Sequence, residues 1–128
     1  MRMIGASVVM IALASPAALA DVKRHASIPE PLWGSWAASA ENCKADDKSV
    51  IVLAAKTYTG PQGNCAVDWV AETASQRGPN YSAHLRCPGK PPAKESITNL
   101  IIRPNDAKQI SVGADFSNLK TYQKCAKE

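Results

Sequence analysis

The chain alternates between short runs of β-forming residues and clusters of turn residues, and no long stretch keeps the apolar period of an α-helix. Short runs at regular spacing with no helix between them are typical of an antiparallel sandwich or barrel. The runs that we expect to form strands are Trp33–Ser39, Ser49–Ala54, Cys65–Thr73, Tyr81–Cys87, Ile97–Arg103, Gln109–Gly113 and Leu119–Cys125. The sequence therefore predicts an all-β fold, a small antiparallel meander or barrel of seven to eight short strands.

The first 20 residues have the pattern of a secretory signal peptide that is removed. Arg2 gives a short positive start, an apolar stretch runs from Ile4 to Leu13, and Ala18-Leu19-Ala20 is the small-residue ending that signal peptidase accepts. Cleavage would leave residues 21–128, enough for one domain and too few for two. No cysteine lies beside the cleavage point, so we expect no lipid anchor and no stable membrane insertion after cleavage.

Residues 21–31 are polar and contain Pro29 and Pro31. This composition predicts an extended N-terminal tail with little structure of its own. Residues 32–128 then form a single β domain.

The four cysteines, Cys43, Cys65, Cys87 and Cys125, are far apart in the sequence. Zinc sites usually take two ligands from one turn, as in C-x-x-C, and this chain has no such pair. An even number of cysteines in a small exported chain predicts two disulfides and an oxidising compartment, either the periplasm or the outside of the cell. We expect no metal and no cofactor.

Strand direction predicts how these cysteines pair. If seven strands alternate in direction, Cys65 meets Cys87 at one end of the sheet and Cys43 meets Cys125 at the other. The Cys43–Cys125 pair would join the last strand to the first. A separate strand at Thr57–Gly60 would change the count by one and would favour a Cys43–Cys65 bond instead.

A Cys65–Cys87 bond would also set the register of the hairpin around it. Antiparallel partners then have residue numbers that sum to 152, as those two cysteines do. The predicted partners are Val67–Leu85, Trp69–Ala83 and Ala71–Tyr81 on the buried face, and Asp68–His84 and Glu72–Asn80 on the exposed face.

The opening Gly34-Ser35-Trp36 resembles the G-x-W signature of lipocalins and their smaller relatives. Together with Cys43 and Cys65 it is similar to the periplasmic inhibitors of secreted alkaline metalloproteases, which are small eight-stranded barrels. The ending Tyr122-Gln123-Lys124-Cys125 resembles that of uncharacterised four-cysteine exported proteins of alphaproteobacteria. This chain has four cysteines where the protease inhibitors have two.

The resemblance implies a barrel with Trp36 in its core, at the bottom. It also implies a mode of action, because those inhibitors thread a free N-terminus into the protease cleft. Asp21–Ile28 would be the corresponding free tail. His25 would then reach a metal in the partner's cleft, and the simpler interpretation is a solvated side chain.

No group of residues predicts catalysis. His84 lies on a polar strand face, and no G-x-S-x-G motif supplies a nucleophile for it. Asp68 and Glu72 are too far apart along one strand for a glycosidase pair. Gly60-Pro61-Gln62-Gly63 lacks the Lys-Ser/Thr of a phosphate-binding loop. We therefore expect that the protein is not an enzyme.

The basic residues do not indicate nucleic-acid binding. The net charge is +4 at pH 7 and the lysines are scattered, whereas nucleic-acid binding favours a basic stripe. Lys120, Tyr122 and Lys124 alternate onto one face of the last strand. We interpret them as a charged edge strand that discourages aggregation, with a weak site for an anionic surface as the alternative.

The remaining candidate for binding is Trp33, which has the opposite parity to Trp36 on a regular strand. It is either an exposed interface anchor or packs beneath the proline-containing tail. The function we expect is an exported protein-binding module, with an inhibitor of a secreted protease or other hydrolase as the specific hypothesis. The alternatives are a lipocalin-like carrier of a small apolar ligand and a structural protein of the cell envelope. Trp36, Trp69 and Tyr81 should help to fill the barrel, and an apolar pocket would favour the carrier.

Overall fold

A computed structural model describes Gly5 and residues 22–44, 49–61 and 63–125. The predicted signal peptide, apart from Gly5, lies outside the described residues. Each of the seven predicted runs contains or lies within a strand, and the all-β prediction is confirmed. The strands are β1 (Lys23–His25), β2 (Gly34–Ala37), β3 (Ile51–Leu53), β4 (Thr57–Gly60), β5 (Gly63–Ser75), β6 (Gly78–Pro88), β7 (Glu95–Asp106), β8 (Gln109–Gly113) and β9 (Lys120–Lys124), with short 3-10 helices at Glu30–Leu32 and Ala40–Asn42.

Strands β2 to β9 form a closed antiparallel barrel of eight strands. Each strand pairs with the next, and β9 pairs with β2 through Trp36–Lys124 and Ala37–Gln123. Because eight is an even number, the last strand of the meander runs antiparallel to the first and closes the sheet. We call the end that holds the β5–β6 and β7–β8 turns the lower end, and the opposite end the upper end.

β1 lies against the lower half of β5. The long strand β5 pairs with β4 near its beginning, which leaves the edge at Val70–Glu72 open, and Lys23–His25 pairs with that edge. Ile28 is 0% exposed, and its N–H donates to the carbonyl of Ala55 at 2.9 Å. Strand structure in the described part of this segment is limited to Lys23–His25, since Glu30 and Pro31 belong to a 3-10 helix. The expectation that the tail is free with little structure of its own is wrong. It completes the barrel wall where β4 ends.

The register prediction holds only up to Val67, which pairs with Leu85. A bulge at Asp68 then moves the partners by one, so that Trp69 faces His84 and Val70 faces Ala83. Val70 therefore occupies the core and Trp69 points outward, half-exposed. The predicted pairs beyond Val67 are wrong, and the observed partners are Ala71–Ser82, Glu72–Tyr81 and Thr73–Asn80.

Both predicted disulfides are present, Cys65–Cys87 with 4.2 Å between the Cα atoms and Cys43–Cys125 with 5.6 Å. The strand count behind the prediction is wrong, because Thr57–Gly60 does form a strand. The expected consequence, a Cys43–Cys65 bond, does not follow. After β2 the chain turns back through Ala40–Asn42, and it meets Cys125 near the start of β2, where the N–H of Cys125 donates to Ser35 at 2.9 Å.

Side chains fill the barrel interior. Trp36 is buried, as the resemblance implied, and its indole N–H donates to the carbonyl of Leu32 at 3.0 Å. β9 is paired on both sides, so the interpretation of Lys120, Tyr122 and Lys124 as a charged edge strand is wrong. Tyr122 packs against the core. The other buried core residues are Ile28, Leu32, Ile51, Leu53, Tyr58, Cys65, Val67, Val70, Ala83, Leu85, Cys87, Leu100, Ile102, Ile110 and Val112.

Candidate functional site

The lower end of the barrel carries an apolar cleft of about 470 Å³, which we call the lower cleft. It is formed by the segment Pro29–Leu32, the beginning of β6, and the end of β7 with the β7–β8 turn, together with Trp36 of β2 and Lys124 of β9. Prolines are frequent in the lining and have no backbone N–H, so they present apolar surface without adding unpaired donors. The lining residues are Pro29, Pro31, Leu32, Trp36, Pro79, Tyr81, Pro104, Asp106, Ala107 and Lys124.

Two charged side chains line the lower cleft. The ammonium of Lys124 lies 5.6 Å from the centre of the Trp36 ring, and no carboxylate of the described residues lies within 4.0 Å of it. Asp106 accepts a hydrogen bond from the N–H of Lys108 at 2.7 Å. The lower cleft thus combines an apolar surface with one cation and one anion.

Trp33 lies beside the lower cleft, directly after the 3-10 helix that forms part of the lining. Its indole N–H donates to the carbonyl of Ile28 at 2.7 Å, and 38% of the residue stays exposed. Trp33 therefore packs against the N-terminal segment, and its role as an interface anchor stays a prediction. The indole is held against the N-terminal segment by its polar edge, while more than a third of its surface is open to solvent.

His25, the second candidate from the sequence, is half-buried and does not extend into solvent as a free side chain. Its Nε2 lies 2.9 Å from a carboxylate oxygen of Glu72 on β5. Its ring centre lies 6.4 Å from that of Tyr81, which lines the lower cleft. His25 therefore joins β1 to the barrel wall next to the cleft.

Tyr81 and Glu72 face each other across β5 and β6. Burial raises the pKa of the Tyr81 phenol, and the negative charge of Glu72 and a hydrogen bond with it raise the pKa further. Tyr81 therefore stays protonated in the neutral and mildly basic range. A neutral phenol beside a carboxylate serves as a hydrogen-bond donor, not as a base. Tyr81 and Glu72 therefore help to hold β6 against β5 at the lower end of the barrel.

The outer surface of β5 carries a stack of side chains that sequence reasoning missed. Trp69 lies parallel to His84 from β6, with ring centres 3.8 Å apart and an angle of 13° between the planes. The guanidinium of Arg24, from β1 on the other side of β5, lies 3.9 Å from the centre of the indole. We call Arg24, Trp69 and His84 the outer stack. A strict alternation along β5 places Trp69 inside, and only the bulge at Asp68 brings it out. One signal in the sequence was available: Val70, next to Trp69, is an apolar β-branched residue that can take the core position instead.

The upper end holds a second cleft, lined in part by Tyr58 and Tyr122. Burial, and to a lesser extent the neighbouring Tyr122, raises the pKa of Tyr58, whose ring lies against Gly60 with no room for a Cβ there. The cleft at this end has a volume of only about 170 Å³.

The described residues contain no group of three or more His, Cys, Asp or Glu that could hold a metal ion. None of the helices within those same ranges is long and apolar enough to cross a membrane.

Comparison of the chain with models of known protein families, with curated proteins and with solved structures finds no match.

Proposed function

We propose that this chain is a disulfide-stabilised, exported protein-binding module that takes an apolar side chain of its partner into the lower cleft. The lower cleft is the observation that carries this proposal. Binding hot spots are commonly apolar or aromatic anchors that fill a pocket on the partner protein. Trp33, exposed beside the cleft, adds a second aromatic contact at the same end of the barrel.

A carrier of a small apolar ligand is the second candidate, because an apolar pocket was the feature expected to favour it. Small-molecule sites usually bury most of their ligand's surface. The lower cleft is a depression at the end of the barrel, and its lining includes Trp36 and Leu32 from the core as well as residues at the beginning of β6 and at the β7–β8 turn. That location favours a side chain presented by another protein over an enclosed small molecule.

The more specific proposal is an inhibitor of a secreted protease or other hydrolase in the periplasm or outside the cell. The two disulfides are consistent with an oxidising compartment. The inhibitor class comes from the resemblance through Gly34, Trp36, Cys43 and Cys65, which supports the fold more than the function. A mechanism that threads residues 21–28 into a protease would first have to break the pairing of β1 with β5 and expose Ile28. We therefore propose that binding uses the lower cleft.

The test captures exported proteins on immobilised residues 21–128. The wild type is compared with two variants, each of which adds one carboxylate. Pro79→Glu places the charge at the lower cleft, and Val52→Glu places it on β3, where Val52 is 37% exposed and away from the cleft. We expect the partner to be lost with Pro79→Glu and kept with Val52→Glu. Equal capture by both variants would contradict the proposal.

The carrier alternative is separated in the same samples by native mass spectrometry. A small molecule that copurifies with the wild-type chain, that is lost with Pro79→Glu and that is not accompanied by any protein would favour the carrier. A captured protein with an enzymatic activity that the chain lowers would support the inhibitor proposal.

A further inference from the structure

We propose that the outer face around the outer stack is a second interaction surface, and that it binds an acidic segment of a protein partner. This outer face consists of Arg24, Trp69, His84, Arg86 and Ile97. It lies on the outside of β1, β5, β6 and β7, whereas the lower cleft lies at the lower end. The inference is independent of the function proposed for that cleft.

The bulge at Asp68 creates this surface. It turns the large ring of Trp69 away from the core and places it between the two strands that flank β5. Partners from both strands then cover the ring, with Arg24 on one side and His84 on the other. These contacts hold the indole and the guanidinium in a defined arrangement before any partner binds, which lowers the entropy lost on binding.

Arg24 supplies the charge that an acidic segment requires. The residue is exposed, and no carboxylate of the described residues lies within 4.0 Å of its guanidinium. A guanidinium that stacks on an aromatic ring by its flat side still has its N–H groups directed outward along its edge. Such an edge is suited to a carboxylate, which accepts two parallel hydrogen bonds from it.

The composition of the outer face favours a protein over a polyanion such as a sulfated polysaccharide. Arg86 is already paired, because its Nε donates to Asp68 at 2.7 Å. Ile97, directly opposite Arg86 on β7, is 69% exposed. A polyanion binds by neutralisation of many unpaired cations. A mixture of Trp, Arg and an exposed aliphatic residue is instead typical of protein–protein interfaces.

The test measures the fluorescence anisotropy of labelled probes with residues 21–128. The probes are a 12-residue peptide of alternating Glu and Gly, the same peptide with Gln in place of Glu, and dextran sulfate. We expect the Glu peptide to bind more tightly than the Gln peptide. Arg24→Gln and Trp69→Leu should each weaken binding of the Glu peptide by about fivefold or more. Arg77→Gln, which removes an exposed arginine at the β5–β6 turn, should leave binding unchanged.

Thermal unfolding of each variant checks that the barrel is intact. Arg24 lies on β1 and Trp69 lies on β5. If Arg24→Gln disrupts the pairing of β1 with β5, Trp69→Leu still tests the same surface. Equal binding of the Glu and Gln peptides would overturn the proposal. So would unchanged binding in both outer-stack variants, an equal loss with Arg77→Gln, or tighter binding of dextran sulfate than of the Glu peptide.

Discussion

The N-terminal segment can be tested as a part of the barrel by replacing Ile28 with alanine. Ile28 is 0% exposed and packs in the core cluster, although it lies in a segment that the sequence predicts to be a loose tail. Ile28→Ala removes three buried carbon groups, each of which contributes about 0.8 kcal/mol through burial. The cavity left behind adds to this loss, so we expect the free energy of unfolding to fall by about 3 kcal/mol.

The measurement is urea denaturation of residues 21–128, followed by tryptophan fluorescence and by far-ultraviolet circular dichroism. The matched control is Val22→Ala in the same segment, where the side chain is 60% exposed and the expected change is below about 0.5 kcal/mol. Both variants should keep the wild-type slope against urea, since the surface exposed on unfolding is nearly the same.

A docked segment and a free tail give different results in this experiment. If Ile28→Ala changes the unfolding free energy no more than Val22→Ala does, the segment is not part of the packed structure. That result would also restore the free-tail mechanism of inhibition. A large loss in Ile28→Ala alone would show that residues near β1 contribute to stability and do not act as a detachable arm.

Three further predictions concern stability. Replacement of Cys43 and Cys125 by alanine opens a disulfide loop with a sequence separation of 82, and should lower the free energy of unfolding by about 4.5 kcal/mol in urea titrations; a loss below about 1 kcal/mol would contradict this estimate. Gly60→Ala places a Cβ against the Tyr58 ring, and should lower the melting temperature through a loss of about 1–3 kcal/mol; an unchanged melting temperature would show that the ring moves freely. The pKa of Tyr81 is raised in the folded state, so its stabilising contribution is complete below pH 10 and is lost as the pH rises through the folded pKa. Stability measured from pH 9 to 12 should therefore fall less steeply in Tyr81→Phe than in the wild type, and identical slopes would refute the assignment.

Local pattern was sufficient for much of the fold. Runs of β-forming residues between turn residues located the strands. Alternation of apolar and polar residues assigned the faces of two of them, because side chains on a strand point alternately to its two faces. The resemblance placed Trp36 in the core, and parity placed Ala83, Leu85 and Cys87 on the buried face of β6. Strand direction predicted the pair Cys65–Cys87, and both cysteines occupy the buried face of one hairpin.

Local pattern was not sufficient for the candidate binding surfaces. The lower cleft combines Pro29, Pro79 and Pro104, which are far apart in the sequence and meet only when the barrel closes. The outer stack depends on a bulge at Asp68 that puts Val70 into the core in place of Trp69. Which of two neighbouring apolar residues enters a small barrel depends on the volume left by strands distant in sequence.

The sequence by itself determined the all-β class and the positions of seven strands, and it predicted the two disulfide pairs although it missed the strand at Thr57–Gly60. The tertiary structure decided that β1 pairs with β5, that eight strands close the barrel and that Trp69 faces outward. The physical reason is the range of the interactions. Strand propensity and parity act between neighbours in the chain, whereas an open strand edge is satisfied by any segment that the fold brings within hydrogen-bonding distance. The edge of β5 left open where β4 ends was therefore visible only after the barrel had closed.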